Sequence, residues 1–121
     1  MEGEQLELEF KELVTMDDYQ ENAIDTRMYP QDMAIPYCTL GLTGEAGEVA
    51  EKVKKIIRDK GGVVSEEDKA ELVKELGDVL WYITDMADQL GSSLREVAQT
   101  NYEKLASRKA RKKLSGSGDN R

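Results

Sequence analysis

The chain has 121 residues, of which 39% are hydrophobic and 35% are charged, a composition that favours one soluble domain over a disordered polypeptide. Its formal net charge of −8 disfavours a nucleic-acid partner, and no apolar run approaches the roughly 18 residues that a membrane span requires. Because the N-terminal sequence also lacks the basic and then apolar plan of a secretory signal, we predict a cytoplasmic protein without a membrane partner.

Residues 1–14 are predicted to form an acidic arm, in which Leu6, Leu8 and Phe10 alternate with glutamates as in a short strand or an extended segment. A helical domain is then predicted for residues 15–112. Its first helix begins at Thr15, which precedes two aspartates, and continues to about Arg27. Two prolines then interrupt the chain before the next helix.

Three further helices complete the predicted domain. Their predicted bounds are about Tyr37 to Asp59, Ser65 to Gly91, and a fourth helix that begins at Ser93. Ser65 with Asp68, and Ser93 with Glu96, are patterns typical of capping boxes, and the sequence DKGG ends the second helix. Residues 113–121 are predicted to form a flexible tail.

The third helix indicates how the helices pack. Its apolar residues recur at alternating spacings of four and three, which is typical of a helix bundle: Leu72, Leu76, Val79, Ile83, Met86 and Leu90. Trp81 lies roughly opposite this stripe, with Val73 and Leu80 toward the same flank, so the helix has a second apolar face. We therefore predict an all-α, four-helix-bundle-like domain completed by dimerisation, with a helix of the same chain as the alternative cover for that face.

Two acidic pairs lie on neighbouring predicted helices. Glu45 with Glu48, and Glu75 with Asp78, are each three residues apart and therefore project from one face of their helix. If the helices pack side by side, the four carboxylates converge, and their repulsion requires protonation or a cation. One cysteine and no histidine leave oxygen ligands, which suit Mg²⁺ or Mn²⁺.

The glycines of the sequence GLTGEAGEVAEK are consistent with a metal site among these carboxylates. Its first two glycines lie near the Glu48 side of the helix and would leave room there for water, metal or ligand. The alternative is an ordinary solvated surface, in which Glu48 pairs with Lys52, and Glu51 with Lys55, at a spacing of four residues.

The segments GLTGEAGEVAEKVKK and ELGDVLWYITDMA resemble the paired motifs of the MazG-like nucleoside triphosphate pyrophosphohydrolases, an all-α family. The family pattern is Glu-x-x-Glu followed, after a loop, by Glu-x-x-Asp, and it is matched by Glu45, Glu48, Glu75 and Asp78. The resemblance covers about residues 17–108 and implies that these four side chains bind metal. It also implies that residues of the fourth helix face the substrate phosphates, namely Asn101, Lys104 and Arg108.

The resemblance further implies a reaction, the Mg²⁺-dependent hydrolysis of a nucleoside or deoxynucleoside triphosphate to the monophosphate and pyrophosphate, with Mn²⁺ as a substitute ion. Glu48, together with Glu45, is then the catalytic candidate that orients or deprotonates the attacking water. Tyr82 is a candidate contact for the sugar or base. Because relatives typically form dimers or dimer-based tetramers, we expect a homodimer or a dimer of dimers.

Two other functions stay open at this level. A related phosphoribosyl-ATP pyrophosphohydrolase uses a similar acidic scaffold, and a non-catalytic helical oligomerisation module would have the same helices without turnover. The base preference is open as well, because Tyr29, Met33 and Tyr37 either line a base pocket or, as the commoner case, pack within their loop.

Overall fold

The computed structural model describes residues 12–112 and 116–119 of the chain. These residues contain four α-helices and one short 3-10 helix, and no β-strand. The α-helices are α1 (Met16–Ile24), α2 (Ala34–Lys60), α3 (Glu66–Gln89) and α4 (Leu94–Ala110), and the 3-10 helix covers Gln31–Met33. The predicted all-α fold is therefore confirmed, whereas the alternating pattern of the N-terminal arm lies outside the described residues. None of the helices described is long and apolar enough to cross a membrane.

Helix α1 is shorter than the sequence predicts. It begins at the predicted cap, where the Thr15 hydroxyl accepts a hydrogen bond from the Asp18 amide at 3.0 Å and the Asp18 carboxylate accepts one from the Thr15 amide at 3.2 Å. It ends at Ile24 and not near Arg27. The cause is local and tertiary, because the Thr26 hydroxyl donates to a carbonyl of the last turn at 2.7 Å and Arg27 leaves the helical path to pair with α3.

Helix α2 begins at Ala34, earlier than the predicted Tyr37. Pro36 lies within its first turn, where an amide hydrogen has no intrahelical acceptor and its absence costs little. The prediction that Pro36 interrupts the chain before this helix is therefore wrong. The predicted end at DKGG is confirmed, since Gly61 adopts the left-handed conformation with a φ of 60° immediately after Lys60.

The caps of α3 and α4 differ from one another. Ser65 and Asp68 form the complete predicted capping box, with hydrogen bonds of 3.0 and 3.1 Å between each side chain and the other residue's amide. At the start of α4 the Ser93 hydroxyl accepts from the Glu96 amide at 3.0 Å. The Glu96 carboxylate, however, accepts from the Ser92 hydroxyl at 2.6 Å, so only half of the second box forms.

Helices α2 and α3 form an antiparallel hairpin, which is the main body of the fold. The antiparallel course follows from their contacts, because Cys38 lies against Asp85 whereas Lys52, farther along α2, binds Glu71, nearer the start of α3. Helix α1 packs against α3 and α4, and α4 packs against α1 and α3. In the part of the chain that the structure describes, α4 does not pack against α2, since no Cα atom of one helix lies within 8 Å of a Cα atom of the other.

The single chain leaves much apolar surface exposed. Leu76 and Leu90 of the predicted α3 stripe are 55% and 65% exposed, and Val73 of the second face is 67% exposed. Trp81 is covered by α1, because its indole N–H donates to the Ala23 carbonyl at 3.1 Å. A helix of the same chain therefore covers Trp81, whereas Val73 faces solvent.

Candidate functional site

Three of the four predicted metal ligands form one acidic cluster. Glu45 extends from α2, and Glu75 and Asp78 extend from α3, so that one carboxylate oxygen of each lies within 4.8 Å of the other two. Glu45 and Glu75 are half-buried, and Asp78 is exposed. The antiparallel packing of α2 on α3 brings Glu45 of the first acidic pair to both members of the second pair.

The charge of this acidic cluster is only partly balanced. Burial raises the pKa of Glu45, and the negative charges of Asp78, Glu75 and Glu48 raise it further. The ammonium of Lys52 lies 3.4 Å from Glu75, and Lys52 is shared with Glu71. Three convergent carboxylates with excess negative charge are the donors that hard divalent cations bind, so the residues present fit such an ion.

Glu48 lies beside the acidic cluster and outside the group of three. It is exposed, and it forms no ion pair within the described residues. Lys52 reaches across to α3, and Glu51 pairs with Lys54 at 2.9 Å. The alternative surface pairs of the sequence analysis, Glu48 with Lys52 and Glu51 with Lys55, are therefore absent among the residues that the structure describes. Glu48 is left with a carboxylate free for another partner.

A cavity of about 280 Å³ opens beside the acidic cluster, and two carboxylates line it directly. Its lining consists of Thr26, Met28, Tyr29, Tyr37, Glu45, Asp78, Trp81 and Tyr82. The Tyr29 and Tyr37 rings stack with centroids 4.5 Å apart, and the Trp81 ring meets Tyr82 edge to face at 4.9 Å. We call this space the aromatic cavity. It contains Tyr29 and Tyr37, which both line the space and pack on one another, but not Met33.

Gly41 determines where Tyr82 lies. A Cβ atom at position 41 would stand 2.1 Å from the Tyr82 ring, so the close approach of the ring to α2 requires glycine. Side chains at positions 44 and 47 would meet open space. The first glycine of GLTGEAGEVAEK thus makes room for an aromatic wall of the cavity, where the sequence analysis expected room for water, metal or ligand.

The predicted phosphate-binding residues of α4 lie away from the acidic cluster in the single chain. Asn101 and Lys104 line a separate groove, and Arg108 is buried. Lys104 binds the Asp119 carboxylate at 3.0 Å, and Arg108 donates to the same carboxylate at 3.3 Å and to the Gly118 carbonyl at 3.2 Å. Since α4 does not contact α2 within the described residues, the chain alone does not bring this set to the acidic cluster.

Sequence reasoning did not identify the residues that hold the aromatic cavity together. The half-buried Arg27 forms an ion pair with the buried Asp85, and Thr26 accepts a hydrogen bond from Trp81 at 2.9 Å. One signal was available for Asp85, because Asp78, Tyr82 and Asp85 recur at spacings of four and three and share one face of α3. No sequence signal pairs Arg27 with it.

The fold and the acidic cluster define an all-α protein with a candidate site for a divalent cation. Residues 37–112 match the MazG nucleotide pyrophosphohydrolase domain, and the chain belongs to this family. It is 50% identical over 112 residues to the Gene 37 protein of Mycobacterium phage L5, a match covering 88% of this chain and 98% of that protein. It is 39% identical over 79 residues to the uncharacterized protein YvdC of Bacillus subtilis (strain 168), covering 60% of this chain and 74% of that protein. No solved structure matches the chain at a significant level.

Proposed function

We propose that the chain hydrolyses nucleoside triphosphates between the α and β phosphates, with release of a nucleoside monophosphate and pyrophosphate. The observation that carries this proposal is the acidic cluster that opens on the aromatic cavity, with Glu45 and Asp78 lining both. Carboxylates suit a cation that binds phosphates, and aromatic faces suit a base, so one site offers the two surfaces that a nucleoside triphosphate needs.

Glu45, Glu75 and Asp78 would hold the metal ion, with Mg²⁺ as the proposed ion and Mn²⁺ as a substitute. Bound there, the ion would neutralise phosphate oxygens and lower the pKa of a coordinated water. Glu48 has no ion pair among the described residues, and its negative charge acts on Glu45. We assign Glu48, assisted by Glu45, to orient the attacking water and accept its proton.

Lys104 and Arg108 would bind the phosphates, with Asn101 beside them. The Asp119 carboxylate between these two cations supports the assignment, because it shows that an anionic oxygen fits between them. Since α4 does not contact α2 in the described chain, we propose that a second copy brings its α4 to the acidic cluster, in a homodimer or a dimer of dimers. The exposed side chain of Val73 on α3 supports such an interface.

The experiment that tests the function measures monophosphate and pyrophosphate release from a panel of nucleoside and deoxynucleoside triphosphates, and from phosphoribosyl-ATP, with Mg²⁺ and with chelator. We expect metal-dependent release that is lost in Glu45→Gln and in Glu48→Gln, while both variants stay folded. Glu67→Gln is the matched control, because Glu67 is exposed in the first turn of α3 and outside the acidic cluster. Unchanged turnover in Glu48→Gln would contradict its catalytic role.

One observation favours a second candidate, a non-catalytic helical module that oligomerises. An apolar groove of about 590 Å³ lies between α1, α3 and α4, with Leu13, Met16, Leu80 and Leu94 in its lining. Such a surface suits association without any chemistry. No release from any substrate, together with a melting temperature that Mg²⁺ and a non-hydrolysable nucleotide leave unchanged, would favour this module over the enzyme.

A further inference from the structure

Asp85 is a buried carboxylate to which the proposed reaction gives no role. It lies on the face of α3 that also carries Asp78 and Tyr82, and it is 1% exposed. We propose that Asp85 is a positioning residue, which sets the geometry of the aromatic cavity by fixing Tyr29 for stacking against a nucleobase. The inference rests on the proposed function, because it takes the occupant of this cavity to be a nucleoside.

Both oxygens of Asp85 are engaged. Oδ1 accepts from the Arg27 guanidinium, through Nε at 2.8 Å and also through Nη2. Oδ2 accepts from the Tyr29 hydroxyl and from the Cys38 thiol, the latter at 3.3 Å. Asp85 therefore joins α2, α3 and the connection after α1 in one network, in which the half-buried Arg27 pairs with Asp85 and also with Asp88 at 2.7 Å.

The connection between α1 and the 3-10 helix depends on this network. It has no helix or strand of its own, so the side chains of Arg27 and Tyr29 hold it against α3. Burial and the hydrogen bond to Asp85 raise the pKa of Tyr29, so its hydroxyl stays protonated and donates at neutral pH. The hydroxyl end of Tyr29 is thus fixed, one face of its ring stacks on Tyr37, and the ring also lines the aromatic cavity.

A carboxylate is not required merely to fill this space. A buried ion pair is often no more stabilising than apolar residues of similar volume, whereas a directed hydrogen bond selects one orientation of the Tyr29 ring. Tyr29 and Tyr37 line the cavity next to Glu45 and Asp78. Loss of the hydrogen bond would therefore weaken stacking of a base while leaving the acidic cluster in place.

The test compares Tyr29→Phe and Asp85→Asn with the wild-type chain. Tyr29→Phe keeps the ring and removes the hydroxyl, whereas Asp85→Asn keeps an acceptor oxygen and removes the charge that faces Arg27. We expect Tyr29→Phe to raise the KM for nucleoside triphosphates about fivefold, the loss typical of one hydrogen bond, with kcat within about twofold of wild type. The KM for an abasic ribose triphosphate should not change, because that substrate has no base to stack.

Matched controls are Tyr102→Phe on the exposed face of α4 and Asp25→Asn on the exposed end of α1. An equal change in KM for the abasic and complete substrates, or a fall in kcat with unchanged KM, would overturn the inference.

Trp81, the single tryptophan, lines the aromatic cavity and provides a binding signal that does not need turnover.

Fluorescence titrations of Trp81 with nucleotide separate this inference from the proposed function. If wild-type protein binds nucleotides without hydrolysing them, the proposed function fails, and a Kd about fivefold weaker in Tyr29→Phe still supports the positioning role. A nucleotide Kd that is the same in Tyr29→Phe and wild type, or a wild-type chain that binds no nucleotide, overturns it. Because Asp85→Asn removes a buried charge, the melting temperature of this variant is measured first. If Asp85→Asn does not fold, the Tyr29→Phe result alone decides whether the inference holds.

Discussion

At the scale of single residues, Glu45 carries the clearest electrostatic cost. Its pKa is raised by burial and by neighbouring carboxylates, so the folded state disfavours its charge at neutral pH and stability falls as the pH rises through that raised value. Without metal, we expect Glu45→Gln to melt roughly 2 °C higher than wild type, since repulsion between partly exposed charges is modest. Added Mg²⁺ should stabilise wild type and not the variant.

Thermal melts with Mg²⁺ and with chelator check this prediction, and Glu67→Gln serves as the control with an unchanged response to metal. If Glu45→Gln melted lower than wild type in chelator and kept the full Mg²⁺ shift, Glu45 would be a structural acid and not a ligand.

Two glycines of α2 should respond in opposite directions to the same substitution. Gly41→Ala places a Cβ against the Tyr82 ring, and we expect a loss of about 1–3 kcal/mol from overpacking, with weaker nucleotide binding. Gly47→Ala enters open space within the same helix, and we expect a gain of up to about 1 kcal/mol from helix propensity. Urea denaturation of both variants measures the difference, and equal effects would mean that Tyr82 moves without cost.

The sequence predicted the acidic residues of the candidate site better than its aromatic wall. Glu45, Glu75 and Asp78 could be paired in advance because helical spacing fixes which carboxylates share a face. Tyr29 could not be placed, because its position depends on Asp85, which lies 56 residues away in sequence. Tertiary hydrogen bonds of this kind leave no periodic signal in the chain.

At the scale of helices, the α2–α3 hairpin is held at its turn by an acid-sensitive contact. Asp68 accepts from Lys60 at 2.8 Å and caps α3 with Ser65, and these contacts lower its pKa from 3.8 to about 2. A depressed carboxylate pKa contributes stability above pH 3.8, and that stability is lost as the pH falls toward 2. We expect Asp68→Asn to be less stable than wild type at neutral pH, with a smaller further loss on acidification.

Unfolding free energies measured by urea denaturation between pH 7 and about pH 2 check the prediction, because the Asp68 contribution should disappear over its titration range. Lys60→Gln should show part of the same flattening, since it removes one of the two partners of Asp68. An Asp68→Asn profile parallel to that of wild type would mean that the acid response arises elsewhere.

The ends of helices were predictable where a cap of a few adjacent residues sets them, and they were mispredicted at a tertiary contact and at a proline that fits the first turn of a helix. Ser65 and Gly61 mark their boundaries because capping and left-handed backbone are properties of a few adjacent residues. The end of α1 was placed too late because Arg27 is drawn to α3, and the start of α2 too late because Pro36 was interpreted as a break and not as a first-turn residue.

At the scale of the whole molecule, the position of α4 bears on how the proposed site could use both the acidic cluster and the phosphate-binding candidates of α4. The acidic cluster belongs to α2 and α3, and Lys104 belongs to a helix that does not contact α2 in the described residues. Helical periodicity predicted that α3 has a second apolar face, but it could not decide between a second copy and a helix of the same chain as its cover, because that depends on tertiary and quaternary packing.

Mixing of two inactive variants tests whether the site spans two copies. One chain carries Glu45→Gln, and the other carries Asn101→Ala with Lys104→Gln, all at positions that are exposed or half-buried and therefore tolerate the change. In a mixed dimer, the acidic cluster of the second chain would meet the intact α4 of the first, so one of two sites is restored. Random mixing gives about half mixed dimers, and we expect about a quarter of wild-type pyrophosphate release after the two are refolded together. If tagged mixed dimers form and release stays at the sum of the separate variants, each site lies within a single chain, and α4 of the second copy does not complete it.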